Sequence, residues 1–202
     1  MVLSPASPRK PIHVRSIQFQ GYLREDGLWD IEAQLLDTRS YAYLSREKGL
    51  APVSAAVHEM LLRVTLDDRM TIQAIESGMP TTPFRECSQA ADPLQKLVGA
   101  RLGRGWRRTI DEAMGGVQGC THLRELLFNL ATAAFQTIPV YRSHLARLQG
   151  VPLVRANKPL PHFGQCLSWD FHGPVMNAWC PSSTAGGHRR NRPAAARSGL
   201  CR

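Results

Sequence analysis

The chain has 202 residues, 43% of them hydrophobic, which is enough to bury the core of one domain. Its formal charge is +9, yet residues 16–154 carry 15 basic and 15 acidic residues, so the basic excess lies in the end segments. This distribution argues against specific recognition of nucleic acid by the folded part. No apolar run reaches the roughly 18 residues that cross a bilayer, and the first residues lack the apolar centre of a signal peptide. We therefore predict a cytoplasmic protein without a membrane partner.

The regular elements are expected to begin after a leader, residues 1–12, which is rich in proline and predicted to be disordered. Alternation of apolar and polar residues then predicts four strands, at residues 14–20, 28–35, 58–66 and 70–76. A turn at Glu25-Asp26-Gly27 joins the first two strands, since an Asp-Gly corner tolerates positive φ. Between the two pairs we expect a polar connector, and after them a loop from Gly78 to Pro93.

Beyond residue 92 the apolar residues recur with helical spacing. Asp92 is expected to cap a helix that begins at Pro93, and a second helix should cover residues 106–114. The longest helix is predicted from Thr121 to about Thr137, closed by Pro139. Strands followed by helices predict an α+β fold, with an antiparallel sheet of about four strands in two hairpins and about three helices packed on one face.

These elements predict one α+β domain over residues 13–150. Recurring prolines indicate an irregular C-terminal extension over residues 151–180, and residues 181–202 read as a disordered basic tail without an apolar pattern.

The five cysteines are an odd number in a chain without an export signal, so a disulfide framework is not expected. Reduced thiols, a metal site or inert buried cysteines remain as alternatives. Cys120 directly precedes the predicted long helix, where unpaired backbone N–H groups favour a thiolate. His122 lies two residues further along the same helix start.

Two motifs, Gly27-Leu28-Trp29-Asp30 and Gly119-Cys120-Thr121-His122-Leu123, resemble those of a bacterial family known only as a domain of unknown function. The resemblance covers roughly residues 13–140 and implies no activity. Members of that family continue with a Cys-His segment near a Lys-Pro pair. Here Lys158-Pro159 is followed by Cys166-Leu167, so the histidine is missing and Cys166 receives no role.

A fainter resemblance is to iron–sulfur scaffold proteins of the NifU N-terminal and SufU type, in which three thiolates and an Asp or His gather at one end of the domain. It rests on the order of strands, a ligand-type residue at a strand start, a loop cysteine and a cysteine heading a long helix. Carried over, the resemblance implies that His58, Cys87 and Cys120 take the three thiolate positions, with His122 as an extra ligand. Because His58 is not cysteine, such a set suits zinc or a single iron at least as well as a cluster.

The sequence therefore leads to a metal- or iron–sulfur-binding accessory protein as the first hypothesis. Its predicted ligands are His58, Cys87, Cys120 and His122, with Glu59 as a possible replacement. The spacing lacks a paired Cys-x-x-Cys signature, so the cysteines could equally be small packing residues. Two further hypotheses remain: a thiol enzyme with Cys120 as nucleophile and His122 or His58 as base, and a non-catalytic module that binds an unknown protein partner. No pattern identifies a reaction.

Overall fold

The computed structural model describes residues 3–150, 164 and 166–179, and the chain divides into two units, Met1–Arg142 and Ser143–Arg202. Residues 3–12 are exposed and belong to no helix or strand. The predictions for residues 151–163, 165 and 180–202 lie outside the described residues. Among the helices of the described segments, none combines the length and the apolar character that crossing a bilayer requires.

The first unit is built on an antiparallel sheet, which confirms the predicted α+β class. The chain forms six strands, β1 His13–Leu23, β2 Trp29–Arg39, β3 Tyr43–Ser45, β4 Gly49–Ala51, β5 Ala56–Leu66 and β6 Ile72–Thr81. Four of them make the main sheet in the order β1-β2-β5-β6, and β3 and β4 pair with each other. Both predicted long hairpins are therefore present.

The turn between β1 and β2 forms where the Asp-Gly corner predicts it. Gly27 has a φ of 83°, a conformation that glycine adopts without steric cost. The backbone N–H of Arg24 donates to the carbonyl of Leu28, and the Asp26 carboxylate accepts from the Leu28 N–H. This closed turn sets the β1–β2 register.

The predicted polar connector between β2 and β5 contains the short β3–β4 hairpin, which was not predicted. Each of its strands has three residues, too few for alternation to be recognised. Gly49 supplies a positive φ of 72° at the turn, and the Arg39 guanidinium lies 4.3 Å from the ring centroid of Tyr43. This contact ties the hairpin to the end of β2.

Helical segments follow the strands. In the first unit they are a 3-10 helix Arg85–Leu97, α1 Trp106–Met114, a 3-10 turn Gly116–Gln118 and α2 Thr121–Leu148, which continues into the second unit. The second unit contains a 3-10 turn Leu167–Trp169 and α3 Pro174–Trp179. The predicted bounds of α1 are confirmed.

The prediction of a loop from Gly78 to Pro93 is wrong. Strand β6 continues to Thr81, and the 3-10 helix begins at Arg85, so Asp92 lies inside that helix rather than capping it. Burial of Leu94 and Leu97 against the core stabilises this segment. Tertiary packing thus overrides the local proline signals.

The long helix α2 does not end near Thr137 but passes Pro139 and reaches Leu148. A proline inside a helix removes one backbone hydrogen bond and crowds the preceding turn. Tertiary contacts hold the helix beyond that point: the ring of Tyr141 packs edge-on against Trp29 at 6.0 Å, and Arg142 pairs with Asp68. These contacts offset the local cost of the proline.

The core lies on the face of the sheet that the odd-numbered residues of β2 share. From β2 these are Trp29, Ile31, Ala33 and Leu35; from β5 they are Met60, Leu62, Val64 and Leu66. Helix α2 contributes a stripe at helical spacing to the same cluster, Leu123, Leu126, Leu127, Leu130, Ala134 and Ile138. The sheet and α2 therefore bury one common apolar cluster, and the first turn of α2 lies near the end of β2 that carries Asp37.

Replacing Gly21 by alanine should destabilise the fold by about 1–3 kcal/mol, because β1 approaches α2 closely there. An added Cβ would overlap the side chain of Thr137, whose hydroxyl donates to the carbonyl of Ala133 and cannot simply swing away. Urea unfolding measures the change. Gly78→Ala is the control, since its Cβ would meet Leu61 at an ordinary 3.6 Å. Equal losses in both variants would contradict the expected overlap.

Candidate metal centre

At one end of the sheet, the apolar residues of its core-facing side are followed by a row of polar residues from β1, β2 and β5. Arg15 lies opposite Asp37, and Asp37 lies opposite His58. Directly opposed residues of antiparallel strands share a face, so these three side chains lie on the core-facing side. The β2–β5 register shifts between Asp37 and Thr38, and such irregularities re-aim neighbouring side chains.

The Asp37 carboxylate lies at the centre of this polar row and is only 2% exposed. Arg15 donates to both oxygens, from Nε to Oδ1 and from Nη2 to Oδ2, each at 2.8 Å. His13 Nε2 lies 3.2 Å from Oδ1, and His58 Nδ1 lies 3.1 Å from Oδ2. Arg15 also donates to Glu125 of α2 at 2.6 Å. The buried Asp37 carboxylate on β2 thus contacts β5 through His58 and the edge strand β1 through Arg15 and His13. Arg15 also links β1 to α2 through Glu125.

The start of α2 brings the remaining groups to the same place. His122 Nε2 lies 3.7 Å from Asp37 Oδ2, and the rings of His58 and His122 are 4.0 Å apart between centroids. The Sγ atom of Cys120 lies 3.7 Å from the other nitrogen of His122, Nδ1. The carbonyl of Cys120 accepts from Arg124 N, which fixes Cys120 at the helix entrance.

Three of these residues can present metal-ligand atoms to one point. One atom each of Asp37, His58 and His122 lies within 4.8 Å of the others, and these residues form the one such group found in the described segments. Two of the four predicted ligands, His58 and His122, are therefore together. Cys120 is outside the group and touches it through His122.

Cys87 does not join the three-residue group. It lies half-buried near the start of the 3-10 helix Arg85–Leu97. Glu59 follows His58 directly in β5 and pairs with Leu36, so alternation turns it to the opposite face of the sheet. Cys166 is exposed in the second unit.

Sequence reasoning missed Asp37, His13 and Arg15. A usable signal exists for Asp37: it follows Trp29, Ile31, Ala33 and Leu35 at strand spacing and is the acid on an otherwise apolar face. An acid placed there must find partners, because burial of an unpaired carboxylate is costly. His13 and Arg15 carry no comparable signal, since they lie at the edge of the predicted leader.

Burial and charge shift the pKa values of the central groups. Burial lowers the pKa of both His58 and His122 below the ordinary 6.5; nearby Asp37 only partly opposes this for His58. Burial would raise the pKa of Asp37, but hydrogen bonds and charge from Arg15, with charge from His58 and His13, outweigh burial and lower it. The site therefore combines neutral imidazoles with an ionised carboxylate near neutral pH, the protonation states that metal ligands need.

Metal-free protein should lose stability on acidification from pH 7 towards pH 5. Both histidines have pKa values below the unfolded value of 6.5, so the unfolded chain binds more protons in that range and stability falls as pH falls. The lowered pKa of Asp37 adds a further loss as pH drops below 3.8. Urea unfolding in chelator at several pH values measures this dependence. A His58→Gln/His122→Gln variant should show a shallower slope between pH 7 and 5, and an unchanged slope would contradict the assignment.

The chain is thus an α+β domain with a buried carboxylate and two histidines gathered at one end of its sheet. The family described as "Protein of unknown function (DUF2889)" matches residues 13–136, and the chain belongs to this family. No curated protein matches the chain significantly, and no solved structure does. The resemblance to iron–sulfur scaffold proteins stays a prediction.

Proposed function

We propose that the domain binds one divalent transition-metal ion, zinc or ferrous iron, through Asp37, His58 and His122. The carrying observation is the convergence of their ligand atoms within 4.8 Å, from β2, β5 and the start of α2. Imidazole and carboxylate are common ligands for both metals. Several thiolates are required for an iron–sulfur cluster, and the three-residue group contains none. A single ion is therefore the better fit.

The two separations that involve Asp37 are close to those around a tetrahedral ion. Bonds of about 2.0–2.2 Å at tetrahedral angles place ligand atoms roughly 3.3–3.6 Å apart. The distances from Asp37 Oδ2 are 3.1 Å to His58 Nδ1 and 3.7 Å to His122 Nε2. Small side-chain adjustments would suffice to admit the ion. A water molecule or substrate atom could complete the coordination.

The partners around these ligands support the same role. Asp37 Oδ1 is bonded to Arg15 and His13. Oδ2 also accepts from Arg15 Nη2, but it is the oxygen that faces both His58 and His122 and is therefore the one proposed for the ion. His58 Nδ1 faces that oxygen, so metal binding requires the tautomer of neutral His58 that carries its proton on Nε2. Binding should weaken at low pH, where the imidazoles are protonated. Hydrogen bonds to a ligating carboxylate orient it and tune the ion. Arg15 is thus assigned as the positioning residue of Asp37.

Cys120 receives a supporting role rather than the ligand role predicted from the sequence. Its sulfur faces Nδ1 of His122, whereas the other nitrogen, Nε2, faces Asp37. A hydrogen bond from Nδ1–H to sulfur would fix the tautomer that offers Nε2 to the ion.

A second candidate function, a thiol enzyme, is favoured by the same contacts. Thiol, imidazole and carboxylate follow one another in the order Cys120, His122, Asp37, as in cysteine nucleophile sites. The 3.7 Å between His122 and Asp37 is longer than a hydrogen bond, however. Alkylation distinguishes the two: an activated Cys120 would react with iodoacetamide well below the ordinary thiol pKa of about 8.5, and a supporting Cys120 would not.

Titration of chelator-treated protein with Co²⁺, a spectroscopic substitute for zinc, tests the proposal. We expect about one equivalent to bind with the visible absorption of tetrahedral cobalt and without a sulfur-to-cobalt charge-transfer band. A charge-transfer band that disappears in Cys120→Ser would make Cys120 a ligand and would contradict its supporting role. Binding that survives unchanged in His58→Gln, with exposed His172→Gln as the control, would overturn the site.

A further inference from the structure

The two edges of the main sheet differ in how they are covered. Strand β6, at one edge, is hydrogen-bonded on its outer side to the segment that follows it. Ile72 N–H donates to the carbonyl of Ala100, Gly99 N–H donates to the carbonyl of Ile72, and the Gln95 amide donates to the carbonyl of Ile75. This edge also contains Pro80 and two register shifts, features that block pairing with another chain.

Strand β1, at the other edge, has none of these protections in the described part of the chain. It pairs with β2 over eleven residues, His13–Leu23, without a register shift. Its central stretch, residues 16–22, contains neither a charged residue nor a proline. An uninterrupted, uncharged edge strand is a ready template for another strand.

A shallow groove lies beside the core-facing side of β1. It has a volume of about 420 Å³ and runs between β1 and α2; its lining residues are Ile17, Phe19, Asn129, Thr132, Ala133 and Gln136. The helix residues follow the i, i+3, i+4, i+7 spacing of one face. At one end Gly21 touches Thr137, and at the other Arg15 pairs with Glu125. The lining itself carries no charge.

We propose that two copies of this chain pair through β1, antiparallel about a two-fold axis at Gln18, to give a continuous eight-stranded sheet. In this register Ile17 of each copy lies opposite Phe19 of the other, on the side of the groove. Apolar pairs of a β-branched and an aromatic residue stabilise antiparallel neighbours. A two-fold interface requires a surface that complements itself, and an uncharged groove beside an uncharged strand meets that requirement.

A second copy explains this surface better than a charged peptide would. A partner recognised through charge would need complementary charges along β1, whereas residues 16–22 offer none. Because β1 carries Arg15, the pairing would also hold Arg15 in place next to the proposed metal centre. It does not depend on metal binding.

Sedimentation equilibrium of the full chain tests the dimer. We expect twice the chain mass of 22.4 kDa. Gln18→Lys places two like charges side by side at the axis and should weaken dimerisation by about ten-fold or more. Gln18→Glu should do the same, and mixing the two variants should restore the dimer. Gln34→Lys is the matched control, because Gln34 lies opposite Gln18 on β2, one strand further in.

Circular dichroism checks that each variant is folded. A wild-type chain that remains monomeric at its highest soluble concentration would overturn the dimer. So would a dimer that Gln18→Lys and Gln34→Lys weaken equally, because the axis would then not lie at Gln18.

Discussion

Replacing Asp37 by asparagine should lower the free energy of unfolding of the metal-free protein by about 2–4 kcal/mol. Asparagine keeps the shape of the side chain but removes the charge that pairs with Arg15 and weakens the acceptor that faces His58. Breaking a buried ion pair costs about 3–5 kcal/mol. Arg15 is 34% exposed and regains some hydration, so the loss should be smaller than for a fully buried pair.

Urea unfolding in the presence of chelator measures this loss. The control is Glu32→Gln, which removes a partner of the exposed Arg63 on the opposite face of the same sheet. Exposed ion pairs contribute less than about 1 kcal/mol, so the control should change little. If the two variants lose the same free energy of unfolding, the buried contacts of Asp37 with Arg15 and His58 do not stabilise the fold as proposed.

Replacing His122 by glutamine should weaken metal binding by more than about 100-fold. Loss of a residue that only supports a ligand typically costs about 10–100-fold, and His122 is assigned as a ligand itself. Arg15→Gln should fall in that lower range, because Arg15 orients Asp37 without touching the ion. Competition with a chromophoric chelator measures both affinities.

His172→Gln serves as the control for these affinities, since His172 is an exposed histidine outside the three-residue group. Its affinity should match that of the wild type. A His122→Gln variant with wild-type affinity would show that the ion, if bound, is held elsewhere.

The sheet could be predicted because the strand pattern is repeated in each long strand. In β2 the apolar residues from Trp29 to Leu35 alternate with polar ones, and the same alternation recurs in β5. The β3–β4 hairpin and the 3-10 helix from Arg85 could not be predicted, because short strands and buried irregular segments leave no periodic signal. Helix α2 continues past Pro139 through contacts with residues far away in sequence.

Two of the four predicted ligands, His58 and His122, lie together, and the local sequence pattern explains why. His58 stands near the start of a strand and His122 at the start of a helix, and strand ends and helix starts meet at the rim of an α+β core. The register that places Asp37 between Arg15 and His58 depends on the pairing of β1, β2 and β5. Pairing is a tertiary property, so the partners of Asp37 became visible only in the folded chain.

The most direct test of the metal site is the metal content of protein purified without air from cells supplied with zinc and iron. The proposed site predicts about one equivalent of one of these metals in the wild type, and less than about 0.1 equivalent in His58→Gln/His122→Gln. Fewer than about 0.1 equivalent in the wild type, or equal content in the two proteins, would contradict a metal centre at Asp37, His58 and His122.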